Sequence, residues 1–165
     1  MMKSRFCLVS VVVVAALSAC SSIDCPLNNR VMAVFRMAGT AAPLADTLTV
    51  STTLSEAEGN DTVLVNRVTD ADSIKLPMSY SRTSDTYMFS LIRKGTAITV
   101  TDTVRVGKNN IPHFESVDCN PSMFHTIQSV DYTRNAIDSI KINNEQVTFD
   151  VVKPNFLIYF KGSGD

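Results

Sequence analysis

Between positions 113 and 125 the chain gathers groups that could do chemistry: His113, Glu115, Ser116, Asp118, Cys119, Ser122 and His125. A hydrolase built here would use His125 as general base and Ser116 or Ser122 as nucleophile, with Asp118 or Glu115 orienting the imidazole. These residue types are common in any polar loop, and no Gly-x-Ser-x-Gly elbow is present to hold a serine in place. The plainer expectation is a loop held by Cys119, with Phe114 and Phe124 packed in the core. No glycine-rich phosphate loop, His-Glu-x-x-His or Cys-x-x-Cys occurs anywhere in the chain. The chain is therefore expected not to be an enzyme, and no cofactor or metal is expected.

Two other segments suggest binding. Asp70-Ala71-Asp72-Ser73 begins like a calcium loop, but the sixth-position glycine and twelfth-position glutamate are missing, which leaves a solvated turn. Tyr80, Tyr87, Tyr132 and Tyr159 could stack sugars, although the chain has no tryptophan, a common stacking platform.

Cys20 offers chemistry of another kind. Lys3 and Arg5 form a positive start, and Phe6 to Leu17 form an apolar run broken only by Ser10. That run is too short to span a bilayer, which takes about 20 apolar residues. It is the right size for a secretory signal. Leu17-Ser18-Ala19-Cys20 closes it and reads as a lipobox. The Cys20 thiol would take a diacylglyceryl group, and cleavage before it would free an amine for further acylation. One acyl chain binds marginally, whereas two or more anchor stably. Residues 1–19 are read as signal peptide, 20–30 as a lipidated tether and 31–165 as one domain. The expected address is the cell envelope, at the outer membrane. Ser21-Ser22-Ile23-Asp24 supplies one acid after the cysteine, which favours the periplasmic face over the cell surface.

Loss of the leader removes Lys3 and Arg5 and leaves 13 basic against 16 acidic residues, or −3. No basic stripe suggests nucleic acid, and no acidic block suggests a disordered tail. The mature length fits one domain with a real core. Cys7 leaves with the leader and Cys20 is lipidated, so Cys25 and Cys119 remain as an even pair in an oxidising compartment. A Cys25–Cys119 disulfide is expected, with two free thiols as the alternative. Closing so long a loop would contribute about 4–5 kcal/mol by chain entropy, and measured gains are often smaller. A zinc site would need histidines, and His113 and His125 lack ligand spacing.

The elements positioning these groups have period 2. Leu48, Val50 and Leu54 alternate with Thr49, Ser51 and Thr53, and Ile74, Leu76 and Met78 with Lys75, Pro77 and Ser79. Ile98, Val100, Val104 and Val106 share a face, Ile140 and Ile142 flank Lys141, and Phe156, Ile158 and Phe160 alternate with Leu157, Tyr159 and Lys161. Alternation rich in Val, Ile, Thr and aromatics marks half-buried strands. Turn signals lie at Glu58-Gly59-Asn60-Asp61, Lys94-Gly95, Gly107-Lys108-Asn109-Asn110, Asn143-Asn144 and Lys153-Pro154-Asn155. Asn143-Asn144 predicts a hairpin to Val147, Asp102 predicts a bulge or break, and Pro77 predicts an edge strand or a strand end. About eight or nine strands spaced by about 8–12 residues predict an all-β, two-sheet immunoglobulin-like sandwich. A small up-and-down lipocalin-like barrel, which would contain a ligand cavity, is the alternative.

Asp-Ser/Thr-apolar recurs at Asp46-Thr47-Leu48, Asp61-Thr62-Val63, Asp72-Ser73-Ile74, Asp102-Thr103-Val104 and Asp138-Ser139-Ile140. The pattern resembles the O-glycosylation signal of Bacteroidetes envelope proteins, with Thr47, Thr62, Ser73, Thr103 and Ser139 as acceptors. Strand entry explains it equally well: Asp ends a turn and the apolar residue points inward.

Cys20 followed by Cys25-Pro26, a first strand Val31 to Phe35, Ser73-Ile74-Lys75-Leu76-Pro77-Met78, Phe114-Glu115-Ser116-Val117-Asp118-Cys119 and the ending Ile137 to Phe160 together carry a resemblance. The chain resembles the uncharacterised lipoproteins of Bacteroidetes, a family known only as a domain of unknown function. That family usually has glycine after the late cysteine, where this chain has Asn120, a residue that also tolerates a left-handed turn. The resemblance implies a lipoprotein, an all-β domain and a cysteine pair, and it implies no activity. The expected function is thus a membrane-anchored, non-catalytic β domain that serves structurally or binds an envelope protein partner. The alternative is a lipoprotein that binds a small ligand or glycan.

Overall fold

The computed structural model describes residues 30–53 and 61–162. The leader, the tether with Cys20 and Cys25, Leu54 and the turn residues Glu58-Gly59-Asn60 lie outside the described residues. Ten strands follow: β1 (Met32–Ala38), β2 (Thr47–Thr53), β3 (Asp61–Val68), β4 (Ser73–Pro77), β5 (Ser84–Ile92), β6 (Thr99–His113), β7 (Ser122–Tyr132), β8 (Ile137–Ile142), β9 (Gln146–Val147) and β10 (Phe156–Phe160). No helix occurs among the described residues. Alternation builds them: in β5, Asp85, Tyr87, Phe89 and Leu91 point inward and the residues between them are half-buried.

β4-β1-β10-β8 form a four-stranded sheet and β3-β2-β5-β6-β7-β9 a six-stranded one. The pairing of β1 with β10 is parallel, with Phe35 opposite Phe156. These two rings stack at 4.3 Å. Phe35 also reaches the other sheet, meeting Phe89 at 5.8 Å and Tyr87 at 6.2 Å. Aromatic contacts of this kind add to the apolar area removed from water. The two sheets thus close face to face over a packed core, as a sandwich, with one of them curling into a half-barrel. They remain two separate sheets, so the single closed barrel of the alternative expectation does not form.

Pro77 ends β4, an edge strand, as expected. Four local expectations need correcting. Asp102 makes no break, because it pairs regularly with Phe89 in the middle of β6. Its buried carboxylate accepts hydrogen bonds from Thr133 Oγ1 and from the backbone N–H groups of Asn135, Ala136 and Ile137, at 2.6 to 2.8 Å. Gly107 to Asn110 is not a turn but the interior of β6, where the register with β7 shifts between Gly107 and Lys108. Asn143-Asn144 makes no hairpin, since β8 and β9 belong to different sheets. Both amides instead donate to the Asn155 carbonyl. Buried Asn155 locks that crossing: its Oδ1 accepts from Val34 N at 2.9 Å and its Nδ2 donates to the Asn144 and Gln146 carbonyls. Ile98, expected on the inner face with Val100, precedes β6 and is exposed.

Candidate functional site

Residues 113 to 125 do not form one loop. His113 ends β6, Ser122 opens β7 directly opposite it, and only 114–121 connect them. His125 pairs with Asn110 in the ladder and is fully buried. Its Nδ1 lies 2.8 Å from Asn110 Oδ1, which also accepts from Lys108 Nζ at 2.7 Å. An oxygen already facing an ammonium calls for a donor, so the ring proton sits on Nδ1. Nε2 has no hydrogen-bond partner. Burial pushes the His125 pKa down to about 4, with the Lys108 charge acting in the same direction and Asp85 opposing. The imidazole is therefore neutral at pH 7. Its nitrogens make no hydrogen bond to Ser116, Ser122, Asp118 or Glu115, so the structure does not assemble the base, serine and acid suggested by the sequence. His113 Nε2 instead lies 4.0 Å from Glu115.

Lys108 enters this network because the alternation of β6 points it inward. Its ammonium donates to the carbonyls of Ser79 and Arg82 at 2.6 and 2.7 Å and lies 3.5 Å from Asp85. Burial lowers the Lys108 pKa, and the Asp85 carboxylate opposes that shift. Asp85 also accepts from Ser79 N and from Arg82 Nη2. All these bonds converge on the connection between β4 and β5 and hold it down. Beside that connection opens a cleft of about 510 Å³, lined by Thr52, Thr62, Leu64, Tyr80, Arg82 and Tyr87 among others. The Tyr87 hydroxyl donates to the Pro77 carbonyl at 2.9 Å, and burial first, then Asp85, pushes its ionisation well up. It is a fixed wall of the cleft and not an acid.

The far end of β6 carries a different surface. The His113 ring stacks on Phe124 at 4.2 Å, and Phe149 stands edge-on to both. Ile111 sits opposite Phe124 in the ladder, on the face away from half-buried Asn110 and buried His125. Phe114 is 63% exposed and Val117 97% exposed in the adjoining connection. Phe114 was expected in the core and is not there, while Phe124 packs partly against it. Exposed apolar side chains gathered near one aromatic cluster are a common feature of interaction sites. Phe149 and Ile111 were missed: Ile111 is an isolated apolar residue among polar ones, and the alternation of Val147, Phe149 and Val151 does not show that Phe149 is exposed.

The remaining expected sites scatter. Tyr80 and Tyr87 line the cleft, Tyr132 lies in β7 and Tyr159 in β10, so the four do not make one platform. Asp70 and Asp72 flank Ala71, which bridges to Leu44. No group of three or more potential ligands that could hold a metal occurs among the described residues. Thr47 and Ser73 open strands and Thr62 is second in β3, whereas Thr103 lies inside β6 and Ser139 inside β8. Ser73 is exposed and the other four are half-buried. Asp46 bonds Arg93 Nη1 and Lys94 N, as a structural carboxylate would. Cys119 is buried and has a partner, while Cys25 lies outside the described residues.

No curated protein and no solved structure matches the chain. The model of the Family of unknown function (DUF6452) matches residues 47–160, which run from the start of β2 to the end of β10. With more than half of its length covered, the chain belongs to the Family of unknown function (DUF6452).

Proposed function

We propose that this is a lipid-anchored envelope protein whose β-sandwich is a non-catalytic docking domain for a protein partner. The patch of His113, Phe124, Phe149, Ile111, Phe114 and Val117 carries the docking reading, because it exposes aromatic surface that a partner would cover. The anchor rests on the lipobox ending at Cys20, with the domain at the periplasmic face of the outer membrane. Cys25 and Cys119 form a disulfide in this account, consistent with the burial of Cys119. The second reading, small-ligand or glycan binding, is favoured by the cleft of about 510 Å³, which falls within the usual size of ligand pockets.

The test is native electrophoresis of detergent-extracted envelopes. The chain should migrate in an assembly larger than itself, and the Phe114→Ser/Phe149→Ser variant should migrate alone. Wild type migrating alone, or both forms in the same assembly, would overturn the docking reading.

A further inference from the structure

The outer face of the four-stranded sheet concentrates cations in a domain whose mature charge is negative. Register places Arg36, Leu157 and Lys141 in one row across β1, β10 and β8, and Lys75 beside Val34 one step toward the start of β1. With strands about 4.8 Å apart, Arg36 and Lys141 stand about 10 Å from each other. All three cations are exposed, and Lys141 Nζ lies 5.3 Å from the centre of the Tyr159 ring, which points outward from β10. Acids border these cations: exposed Asp150 lies on the connection before β10, and two more lie past the Arg36 row. Asp72 precedes β4 beside Met37, and Asp138, whose carboxylate accepts from Ser139 Oγ, sits where β8 starts.

The chain enters on the Lys75 side of the Arg36 row, because Arg30 leads directly into β1. The connection before β10 lies on this side, since Asn155 bonds Val34. It presents exposed Lys153 and an 89% exposed Val152, whose N–H is capped by Asp150. A tyrosine, lysines and an unsupported valine on one side are the side chains that settle at a lipid headgroup layer.

We propose that this sheet face docks on the anionic phospholipid surface to which the protein is attached. The proposal rests on the lipid-anchor reading for its geometry. Nine residues lie between Cys20 and Arg30, and a chain of that length reaches at most about 35 Å, which keeps the sheet close to the headgroups. The six-stranded sheet, with the aromatic patch, then faces away from the membrane and toward a partner.

The test uses the mature chain from Cys20 with Cys20→Ser, so that no lipid contributes, and vesicles of phosphatidylcholine with or without phosphatidylglycerol. Sedimentation should show binding only to the phosphatidylglycerol vesicles, and 0.5 M salt should abolish it. Arg36→Gln/Lys75→Gln/Lys141→Gln should weaken binding about a hundredfold, at about fivefold per cation. A glutamate version should weaken it further, and the unfolding transition of each variant confirms that the domain is intact. Equal binding to both vesicles, no binding by wild type, or unchanged binding by both variants would overturn the proposal. Labelled palmitate incorporation at Cys20 in cells tests the anchor separately. A lipidated chain that ignores vesicles retires only the docking face, and an unlipidated chain that binds them retires only the anchor.

Discussion

The carboxylate of Asp102, in the middle of β6, accepts the backbone N–H of Ile137, the first residue of β8, at 2.8 Å. One side chain thereby ties the six-stranded sheet to the four-stranded one. It also receives Thr133 Oγ1 and the N–H groups of Asn135 and Ala136. Burial alone would raise the Asp102 pKa, but the Thr133 hydroxyl and the three backbone donors outweigh it and hold the pKa below the ordinary value. Asp102→Ala strands those donors, each costing about 1–3 kcal/mol when buried and unpaired. Urea unfolding should show a loss of at least about 3 kcal/mol, with Asp102→Asn losing less. A loss below about 1 kcal/mol in Asp102→Ala would contradict this role.

The Lys108–Asp85 pair predicts non-additive mutations. Lys108→Met leaves the Asp85 carboxylate and three oxygen acceptors without their shared donor, and breaking a buried pair this way costs about 3–5 kcal/mol. Adding Asp85→Leu should not cost the full sum of the two single losses, because the carboxylate left with only Arg82 and Ser79 as donors is gone. A double-mutant cycle should give a coupling of about 1–3 kcal/mol. Strict additivity would show that the two groups do not interact.

Stability should depend on pH through His125. Its pKa is about 4 in the folded protein against the ordinary 6.5, so the unfolded chain takes up the proton first as pH falls. Stability is full above about pH 6.5 and declines from there to about pH 4, by on the order of 3 kcal/mol in total. Asp102 adds a further loss at lower pH, since its stabilisation is present above the ordinary carboxylate value and disappears as the carboxylate is protonated. The difference in unfolding free energy between wild type and His125→Leu, followed from pH 7 to pH 4, isolates the histidine. A pH-independent difference would contradict a buried neutral imidazole.

The sandwich was legible because burial on one face leaves a period of 2, plain in β2 and β5 and in Phe156, Ile158 and Phe160. Less legible were polar residues whose partners come from far along the chain. Asp102 looked like a defect because its donors lie more than thirty residues away. Gly107-Lys108-Asn109-Asn110 has the composition of a turn, yet it is held extended by pairing with β7 and by the bonds of Lys108. Asn143-Asn144 has hairpin composition, and only Asn155 decides that the chain crosses between sheets there. At the candidate surface, His113 and Phe124 were visible as residues, but their stacking depends on the pairing of β6 with β7. No local pattern encodes it.

The docking claim is tested most directly by photo-crosslinking in living cells, with a benzophenone amino acid placed at Phe114, at Phe149 or, as a control, at Ser90 in β5. The account predicts one discrete adduct from Phe114 and Phe149 and none from Ser90. No adduct from either patch position, or the same adducts from all three, would contradict a partner seated on the aromatic patch.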